Sequence, residues 1–380
     1  MADNNENKVL NVPPLRFPEF SGVWKKCTIN DLATVVGGGT PDTTVKSYWG
    51  GDIQWFTPSE IGKNKYVAFS LRTITRDGLD NSSAKLLPLH TILLSSRATV
   101  GECSIASNEC TTNQGFQSLI AKQCNIDFLY YLIQTKKKDL IRNACGSTFL
   151  EISANEIRKI KVAVPVQNEQ EQIAKLLSLV DERIATQNKI IEKYESLING
   201  INCKIFASIQ GSEYRLGDIA TITNGNSNVQ DASTEYRIGF YPFFDRSEEI
   251  KYLPTFLFDK ESIIYPGEGT EFTPRYFNGK FAVHQRCYAI FDFKEVVNPK
   301  FVYFFLKTQN SYFIRNAVGS TVPSLRLDTF QKLKVVIPLP EIQHSVSSFL
   351  SVLEQKLDVE NNVIKKFLWQ KQYLLRQMFI

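Results

Sequence analysis

Histidine, methionine and long apolar runs are scarce in this sequence, and no charge sign dominates it. There are three histidines and two methionines among 380 residues, and the net charge is +5 at a pI near 8.6. A mild basic excess fits a nucleic-acid partner, but many proteins without one are as basic, so charge assigns no function. Hydrophobic residues make up 43% and aromatic residues 12%, which excludes wholesale disorder.

Clustered cysteine and histidine ligands are also missing. The seven cysteines include no CxxC pair and have no neighbouring histidine: Cys27, Cys103, Cys110, Cys124, Cys145, Cys203 and Cys287. Zinc sites and disulfide frameworks need clustered, regularly spaced ligands, so we expect reduced thiols and no metal. The polar residues 1–8 carry no signal-peptide core, and no apolar run approaches the ~18 residues of a membrane span. The sequence therefore predicts a soluble, cytoplasmic protein.

An internal repeat is the most informative feature that is present. Residues 125–206 align without a gap to residues 298–379, always 173 positions apart, with 22 identities over 82 positions. One matched string is Ile141-Arg142-Asn143-Ala144, which returns as Ile314-Arg315-Asn316-Ala317. Repetition fixes architecture before any local motif does. It predicts a pseudo-two-fold chain in which a variable domain and a long helix alternate twice.

Each repeat ends in a heptad pattern of about 38 residues, which predicts a long helix that packs on another helix. Asn168 and Glu171 form a candidate capping box at the start of the first helix. Polar residues interrupt the seam at Gln187 and Glu360, near mid-helix. The predicted seam residues are Ile173, Leu177, Val180, Ile184, Ile191, Ile198, Val346, Leu350, Leu353, Leu357, Ile364, Phe367 and Leu374. Because the second variable domain connects the helices, an antiparallel coiled coil is expected. The alternative is that each helix packs only on its own domain.

The variable domains begin alike but then diverge. Asp31-Leu32-Ala33-Thr34-Val35 corresponds to Asp218-Ile219-Ala220-Thr221-Ile222, and later segments show short β-branched strands with glycine turns, including Asn278-Gly279. We predict an α+β protein in which two mixed α/β domains with curved, largely antiparallel sheets are separated by the two helices. The boundaries are an N-terminal extension at 1–22, domains at 23–166 and 210–339, and spacer helices at 167–209 and 340–380.

These features resemble the specificity subunit of type I restriction–modification systems. The similarity covers nearly the whole chain, from Pro14-Leu15-Arg16-Phe17-Pro18-Glu19-Phe20 onwards. Further matching strings are Gly38-Gly39-Thr40-Pro41, Tyr48-Trp49-Gly50-Gly51-Asp52-Ile53-Gln54-Trp55, Leu94-Ser95-Ser96-Arg97-Ala98-Thr99-Val100-Gly101, Asn113-Gln114-Gly115-Phe116, Tyr265-Pro266-Gly267-Glu268-Gly269 and Gln285-Arg286-Cys287-Tyr288. The second domain lacks the Asn-Gln-Gly-Phe string and has His284-Gln285-Arg286 near that place.

The resemblance implies a non-catalytic subunit whose two target recognition domains each read half of a split, asymmetric sequence in double-stranded DNA. The helices would act as a spacer and dock two adenine methyltransferase subunits, which a restriction translocase subunit would join. The chain itself would hold no cofactor, because the methyltransferase subunit would bind S-adenosylmethionine. No membrane partner is expected.

Side chains that can hydrogen-bond base edges are the candidates for sequence reading. The first domain offers Thr40, Trp49, Gln54, Thr57, Ser59, Arg97, Asn113 and Gln114, and the second offers Asn224, Asn226, Arg246, Thr270, Arg275, His284 and Arg286. Arg275 follows a glycine-rich turn and is expected to face outward. Alternatives stay open for three of them: an intradomain salt bridge for Arg97, satisfaction of backbone groups for Asn113, and core packing for Trp49.

Two other classes of protein compete with this interpretation. A self-contained DNA methyltransferase needs a glycine-rich cofactor turn and an Asn/Asp-Pro-Pro-aromatic motif, but Asn298-Pro299-Lys300-Phe301 lacks the second proline. A coiled-coil adaptor with two protein-binding domains explains the repeat equally well. Salt-sensitive binding to duplex DNA would distinguish a DNA-reading subunit from such an adaptor.

Overall fold

The computed structural model of the chain describes residues 11–146 and 150–380. Contacts divide it into two units, each built around one variable domain. Unit 1 comprises residues up to 188 together with 363–380, and unit 2 comprises residues 189–362. Each long helix therefore contributes one half to each unit. Of the repeated Gly-Ser-Thr string, Ser147 and Thr148 lie outside the described residues.

Unit 1 is a mixed α/β domain. Its strands are β1 (Lys25–Thr28), β2 (Ala33–Gly37), β3 (Trp49–Phe56), β4 (Tyr66–Val67), β5 (Arg72–Ile74), β6 (Ile92–Leu94), β7 (Cys103–Ala106), β8 (Cys110–Thr112), β9 (Gln117–Ala121) and β10 (Lys161–Val164). Its helices are α1 (Ile29–Leu32), α2 (Arg76–Asp80), α3 (Ile126–Thr135), α4 (Lys137–Arg142), α5 (Ala154–Lys159) and the first half of α6 (Gln167–Ser208). The sheet orders are β2-β9-β6-β7-β4, β5-β3-β8 and β1-β10.

Unit 2 has the same plan with a different insertion. Its strands are β11 (Ser212–Arg215), β12 (Thr221–Asn224), β13 (Tyr241–Phe244), β14 (Lys251–Leu253), β15 (Phe258–Pro266), β16 (Arg275–Val283), β17 (Cys287–Phe291) and β18 (Lys334–Ile337). Its helices are α7 (Leu216–Ile219), α8 (Pro299–Lys307), α9 (Asn310–Asn316), α10 (Leu327–Gln331) and the first part of α11 (Pro340–Gln377). The sheet orders are β12-β17-β15-β16-β13-β14 and β11-β18.

The prediction of mixed α/β domains with largely antiparallel sheets is confirmed. Among the named strands of the described residues, parallel pairing is confined to β3–β8, β4–β7 and β13–β16. In both units the first strand pairs antiparallel with the strand before the long helix. This pairing brings the beginning of each domain to the start of its helix.

Each unit has an aromatic-rich core onto which its helix segments pack. In unit 1, Phe128 on α3 stacks on Phe379 at a centroid distance of 5.2 Å, and Trp24 contacts both rings edge-on. In unit 2, Phe313 and Phe330 lie 4.9 Å apart beside Tyr265. Burial of such large apolar side chains is the main stabilising contribution to each domain.

Within each unit the two helix segments run antiparallel. In unit 1, Ile173 and Met378 join the same apolar cluster, while Asp181 pairs with Lys371 across 2.7 Å. In unit 2, the ammonium of Lys356 lies 5.6 Å from the Tyr194 ring centre. One helix number rises as its partner's falls, which is the expected antiparallel packing.

The seam residues serve both the helix pair and the domain cores. All thirteen predicted seam residues are buried or half-buried, and Ile173, Leu177 and Val180 belong to the same cluster as the core of unit 1. Packing between helices and packing on the parent domain therefore coexist. Gln187 is buried and Glu360 is half-buried.

Two local predictions are wrong. α6 begins at Gln167, so Asn168 lies inside the first turn and does not cap it; the side chain of Gln170, which donates to the Pro165 carbonyl, fastens this helix start. Asn278-Gly279 is not a hairpin turn but lies in mid-strand, where Asn278 pairs with Glu261. The long ladder between β15 and β16, with buried residues at its ends, outweighs the local turn propensity of Asn-Gly.

Candidate nucleic-acid interface

Four separate segments of unit 1 meet at one edge of the sheets, which we call rim 1. It consists of residues 38–40, 57–60, 95–97 and 113–115. Backbone hydrogen bonds join the segments: Gly39 N–H donates to Thr112 O at 2.8 Å, Ser96 N–H to Gly115 O at 2.9 Å, and Asn113 N–H to Phe56 O at 3.0 Å. Six of the eight candidates of the first domain thus lie on one rigid frame.

Unit 2 builds the same frame, which we call rim 2: residues 224–227, 267–270 and 284–286. Gly225 N–H donates to Cys287 O as Gly38 N–H does to Phe116 O, at 3.1 and 3.4 Å. Gly267 N–H donates to Arg286 O at 2.9 Å, matching the bond from Ser96. The two rims therefore share a backbone frame although their side chains differ almost completely.

Glycine is required where the first loop of each rim crosses its neighbour. A Cβ on Gly38 would lie 2.0 Å from Asn113 O, and one on Gly225 would lie 1.9 Å from Val283 O. Any side chain would push the strands apart, because these distances are far below van der Waals contact. The repeated glycine explains why both rims close in the same way.

Hydroxyl and amide groups dominate rim 1. The Thr40 hydroxyl donates to Oε1 of the exposed Gln114. The Thr57 hydroxyl donates to Glu60 Oε2 at 2.6 Å and lies 3.1 Å from the hydroxyl of the exposed Ser59. Asn113 Oδ1 accepts from Gly115 N–H, so that half of its amide satisfies backbone, as the alternative for this residue foresaw. The arrangement displays both donors and acceptors in a fixed geometry.

Arg97 is the cation of rim 1. Its Nε lies 3.7 Å from Glu151 Oε2, so the structure contains the intradomain pair that the sequence left open. Both side chains are nearly half exposed, at 46% and 48%. A long, exposed ion pair contributes little to stability. The guanidinium can therefore leave Glu151 for a stronger partner at little cost.

Gln54 and Trp49 lie apart from these groups. Gln54 Oε1 accepts from the N–H and the hydroxyl of Ser70 at 2.7 and 3.0 Å. Trp49 is half-buried, meets Trp55 edge-on at 5.0 Å and has the Arg72 guanidinium 3.6 Å from its ring centre. The structure thus uses both residues to shape the domain beside rim 1.

Rim 2 presents a different set of groups. Asn224 Nδ2 donates to Gln285 O at 3.2 Å, and Asn226 Oδ1 accepts from Ser227 at 3.2 Å. Arg286 is exposed and forms an ion pair with Glu268. Thr270 and Arg246 are exposed as well. Where Arg97 pairs with Glu151 in rim 1, the cation of rim 2 comes from another segment.

The expectation that Arg275 faces outward is wrong. Its Nη2 donates to Ser247 O, its Nη1 is buried, and its guanidinium lies 5.9 Å from the Phe244 ring centre. Burial lowers its pKa, although the charge of Asp245 opposes that effect. The side chain turns inward because β16 continues through this position and directs it towards the buried Asp245 region. Arg275 is therefore a structural residue in this conformation.

His284 and Cys287 in rim 2 are neutral groups. Burial lowers the pKa of His284, which Asp245 raises and Arg286 lowers further, and its Nδ1 accepts from Arg286 N–H at 3.3 Å. Burial raises the pKa of the Cys287 thiol to about 11. Across the part of the chain that the structure describes, no group of three or more His, Cys, Asp or Glu could hold a metal ion. None of the helices described is long and apolar enough to cross a membrane.

Sequence reasoning missed Gln285, which occupies in rim 2 the position of Gln114 in rim 1. The equivalence follows from the paired bonds to Phe116 and Cys287, which are 171 residues apart. The long alignment is 173 residues out of register, so the shorter spacing hides the match. A search for a second offset, anchored on Gly38 and Gly225, would have found it.

Known proteins resemble this chain in sequence and fold. Residues 22–196 and 211–367 match the sequence profile described as "Type I restriction modification DNA specificity domain". The type I restriction enzyme MjaIX specificity subunit of Methanocaldococcus jannaschii is 30% identical over 383 residues, covering 88% of this chain and 87% of that protein. The EcoR124I/EcoR124II specificity subunit of Escherichia coli is 28% identical over 175 residues, 44% of this chain and 43% of that protein.

The fold is shared with a solved structure. The S subunit of a type I restriction–modification system from M. genitalium superposes with a TM-score of 0.60 at 19% identity, covering 97% of this chain and 99% of that one. At this identity the likeness concerns the fold alone. Together with the sequence matches, it covers both variable domains and both long helices.

Proposed function

The chain belongs to the family of type I restriction–modification DNA specificity subunits, and from this premise we propose that rim 1 and rim 2 each read one half of a split DNA site. As a specificity subunit it recognises the target and leaves catalysis to its partners. The observation that carries the proposal is the pair of rims, one backbone frame bearing two different sets of donors and acceptors. Different side chains on equal frames suit two unequal half-sites, because base edges differ in their hydrogen-bonding patterns.

Arg97 and Arg286 are the base readers to which we give most weight. An arginine that bonds both O6 and N7 of guanine is the commonest specific contact in the major groove. Each of these guanidinium groups is exposed and held only by a surface ion pair. Around them, Thr40, Gln114, Asn224 and Gln285 supply shorter polar groups that suit adenine, thymine or phosphate contacts.

The partners would be two methyltransferase subunits, which bind S-adenosylmethionine, and restriction subunits that join them. The long helices α6 and α11 would set the gap between half-sites and offer docking faces. Their exposed apolar residues support a docking role: Leu179 in the first half of α6, and Phe349 and Val352 on α11, are 51%, 49% and 61% exposed. Apolar side chains repeated along a helix face favour association with another protein.

A methylome tests the proposal. The chain is co-expressed with the methyltransferase subunit encoded beside it, in a host that lacks adenine methylation, and modified adenines are located by sequencing. We expect a split, asymmetric motif that disappears when this chain is omitted. Absence of new methylation, although the complex is shown to assemble, would contradict DNA reading by the rims and favour the coiled-coil adaptor.

A further inference from the structure

Two apolar side chains project into solvent beside rim 1. They belong to the loop 68–71 between β4 and β5, in which Phe69 is 81% exposed and Leu71 is 88% exposed. Single exposed apolar residues are common on protein surfaces and need no explanation. Two of them in one short loop, at more than four-fifths exposure, require a reason why the loop does not fold inward.

The loop is held in place through the residue between them. Ser70 donates from its N–H and its hydroxyl to Gln54 Oε1, and the Ser70 hydroxyl accepts from Trp55 N–H at 2.9 Å. The same hydroxyl lies 2.6 Å from Arg72 O. Gln54 and Trp55 are on β3, in the interior of the three-stranded sheet. The backbone at Ser70 is therefore fixed to the most rigid part of this domain.

A second tether connects the loop to rim 1. Glu60 Oε1 accepts from Leu71 N–H at 2.6 Å, while Glu60 Oε2 accepts from the N–H and the hydroxyl of Thr57. One carboxylate thus bridges the apolar loop and a rim segment. The next residue, Arg72, lies flat on Trp49 with its charge exposed. Phe69 and Leu71 consequently sit in fixed positions next to polar groups and beside a cation.

We propose that Phe69 and Leu71 contact thymine methyl groups in the half-site read by unit 1, and that Gln54 and Glu60 are positioning residues for them. The inference rests on the function proposed above. Thymine is recognised in the major groove by apolar contact with its C5-methyl group, which no donor or acceptor in rim 1 can supply. The fixed loop pays the ordering entropy in advance, and the flanking arginine suits the adjacent phosphate.

The test measures DNA affinity of the assembled complex containing this chain and its methyltransferase subunits. The probes are the duplex defined by the methylome, the same duplex with each thymine of the unit 1 half-site replaced by deoxyuridine, and a duplex without the motif. Deoxyuridine removes only the methyl group. The variants are Phe69→Ala/Leu71→Ala and, as matched control, Val23→Ala, which truncates an exposed apolar residue outside rim 1.

For the unaltered chain, at least one deoxyuridine replacement should weaken binding about fourfold, the effect of one buried methyl group. In Phe69→Ala/Leu71→Ala the motif duplex should bind about tenfold or more weakly, and that replacement should have no further effect. Val23→Ala should behave as the unaltered chain. Binding to the duplex without the motif, and its salt dependence, should stay the same because no phosphate contact is removed.

Other outcomes would overturn the inference while leaving the proposed function intact. These are unchanged affinity of the double variant, an equal loss on both kinds of duplex, a deoxyuridine effect that persists in the variant, or failure of the complex to assemble. The last result would place the two side chains in a protein contact. Failure of the proposed function itself is recognised separately, since the unaltered complex would then prefer no motif.

A double-mutant cycle separates positioning by Gln54 from direct reading. Gln54→Leu removes the acceptor for Ser70 and should weaken binding to the motif duplex. If Gln54 acts through the loop, adding Gln54→Leu to the Phe69→Ala/Leu71→Ala variant should cause no further loss. Additive losses would mean that the Gln54 amide contacts a base and would contradict its role in positioning.

Discussion

Gln170 Oε1 accepts a hydrogen bond from Asn125 N–H at 3.0 Å, and 173 residues later Gln343 Oε1 accepts from Asn298 N–H at 2.7 Å. In both repeats the glutamine amide also donates to a proline carbonyl that precedes the long helix. Both asparagines cap the next helix of their domain, α3 or α8. The repeated Gln–Asn pair thus fastens each domain to the first turn of its own long helix.

Replacing Gln170 with leucine should destabilise α3 and the start of α6 by about 2 kcal/mol, because a buried N–H and a buried carbonyl lose their partners. Gln343→Leu should have the same effect in unit 2. Hydrogen–deuterium exchange resolves the two units and should show faster exchange only in the unit that is altered. Gln167→Leu is the control, since its amide bonds only to Glu171 on the surface. Faster exchange in both units from one substitution would contradict local fastening.

Arg16 should stabilise unit 1 without any counterpart in unit 2. Its guanidinium donates from Nε and Nη2 to Glu169 at 2.7 Å, and the Glu169 side chain is fully buried beside Trp24. Arg16→Ala should cost roughly 2 kcal/mol, less than for a fully buried pair because water reaches the arginine. The aligned residue in unit 2 is Ile342, which is 44% exposed.

Thermal unfolding of the complete chain measures this effect. Arg16→Leu/Glu169→Ile should recover much of the loss, because it removes the buried charge together with its partner. Lys332→Ala, which breaks an exposed pair with Asp328, should change little. A double variant as unstable as Arg16→Ala would show that the segment is held by contacts other than this pair.

Arg97→Ala should lower affinity for the motif duplex by about ten- to a hundredfold, the usual loss for an arginine that reads guanine. Arg286→Ala should do the same for the other half-site. Competition with duplexes altered at single positions reveals which base has lost its influence. The slope of affinity against salt should stay nearly constant, whereas a phosphate contact would reduce it by about one. Loss of discrimination in both half-sites from one substitution would refute separate reading.

Lengthening both helices by one heptad, after Gln187 and after Glu360, should widen the gap between half-sites. Seven residues add about 10 Å of helix, which corresponds to about 3 base pairs. A heptad preserves the phase of the apolar seam, so that packing can continue. The methylome of the variant should contain both half-sites unchanged with a longer gap. An insertion in one helix only is the control and should impair folding; an unchanged gap would disprove the spacer.

Local sequence was sufficient where the same residues recur at the same spacing. Asn125 and Asn298, Gln170 and Gln343, and the strands before each long helix perform equal roles in the two units. Such contacts are short in sequence or lie within the repeated frame, so identical residues meet identical surroundings. The long helices were predictable for the same reason, because a heptad pattern depends only on the periodicity of one helix.

The sequence by itself determined the repeat, the family, the two long helices and the candidate groups on the rim loops. Only the tertiary structure decided that Arg275 turns inward, that Asn278-Gly279 continues a strand, and that Gln54 bonds to Ser70. It alone matched Gln285 to Gln114 and exposed Phe69 and Leu71. The physical reason is that the partner of a side chain is chosen by strands that are distant in sequence. Periodicity and turn propensity carry no information about those neighbours.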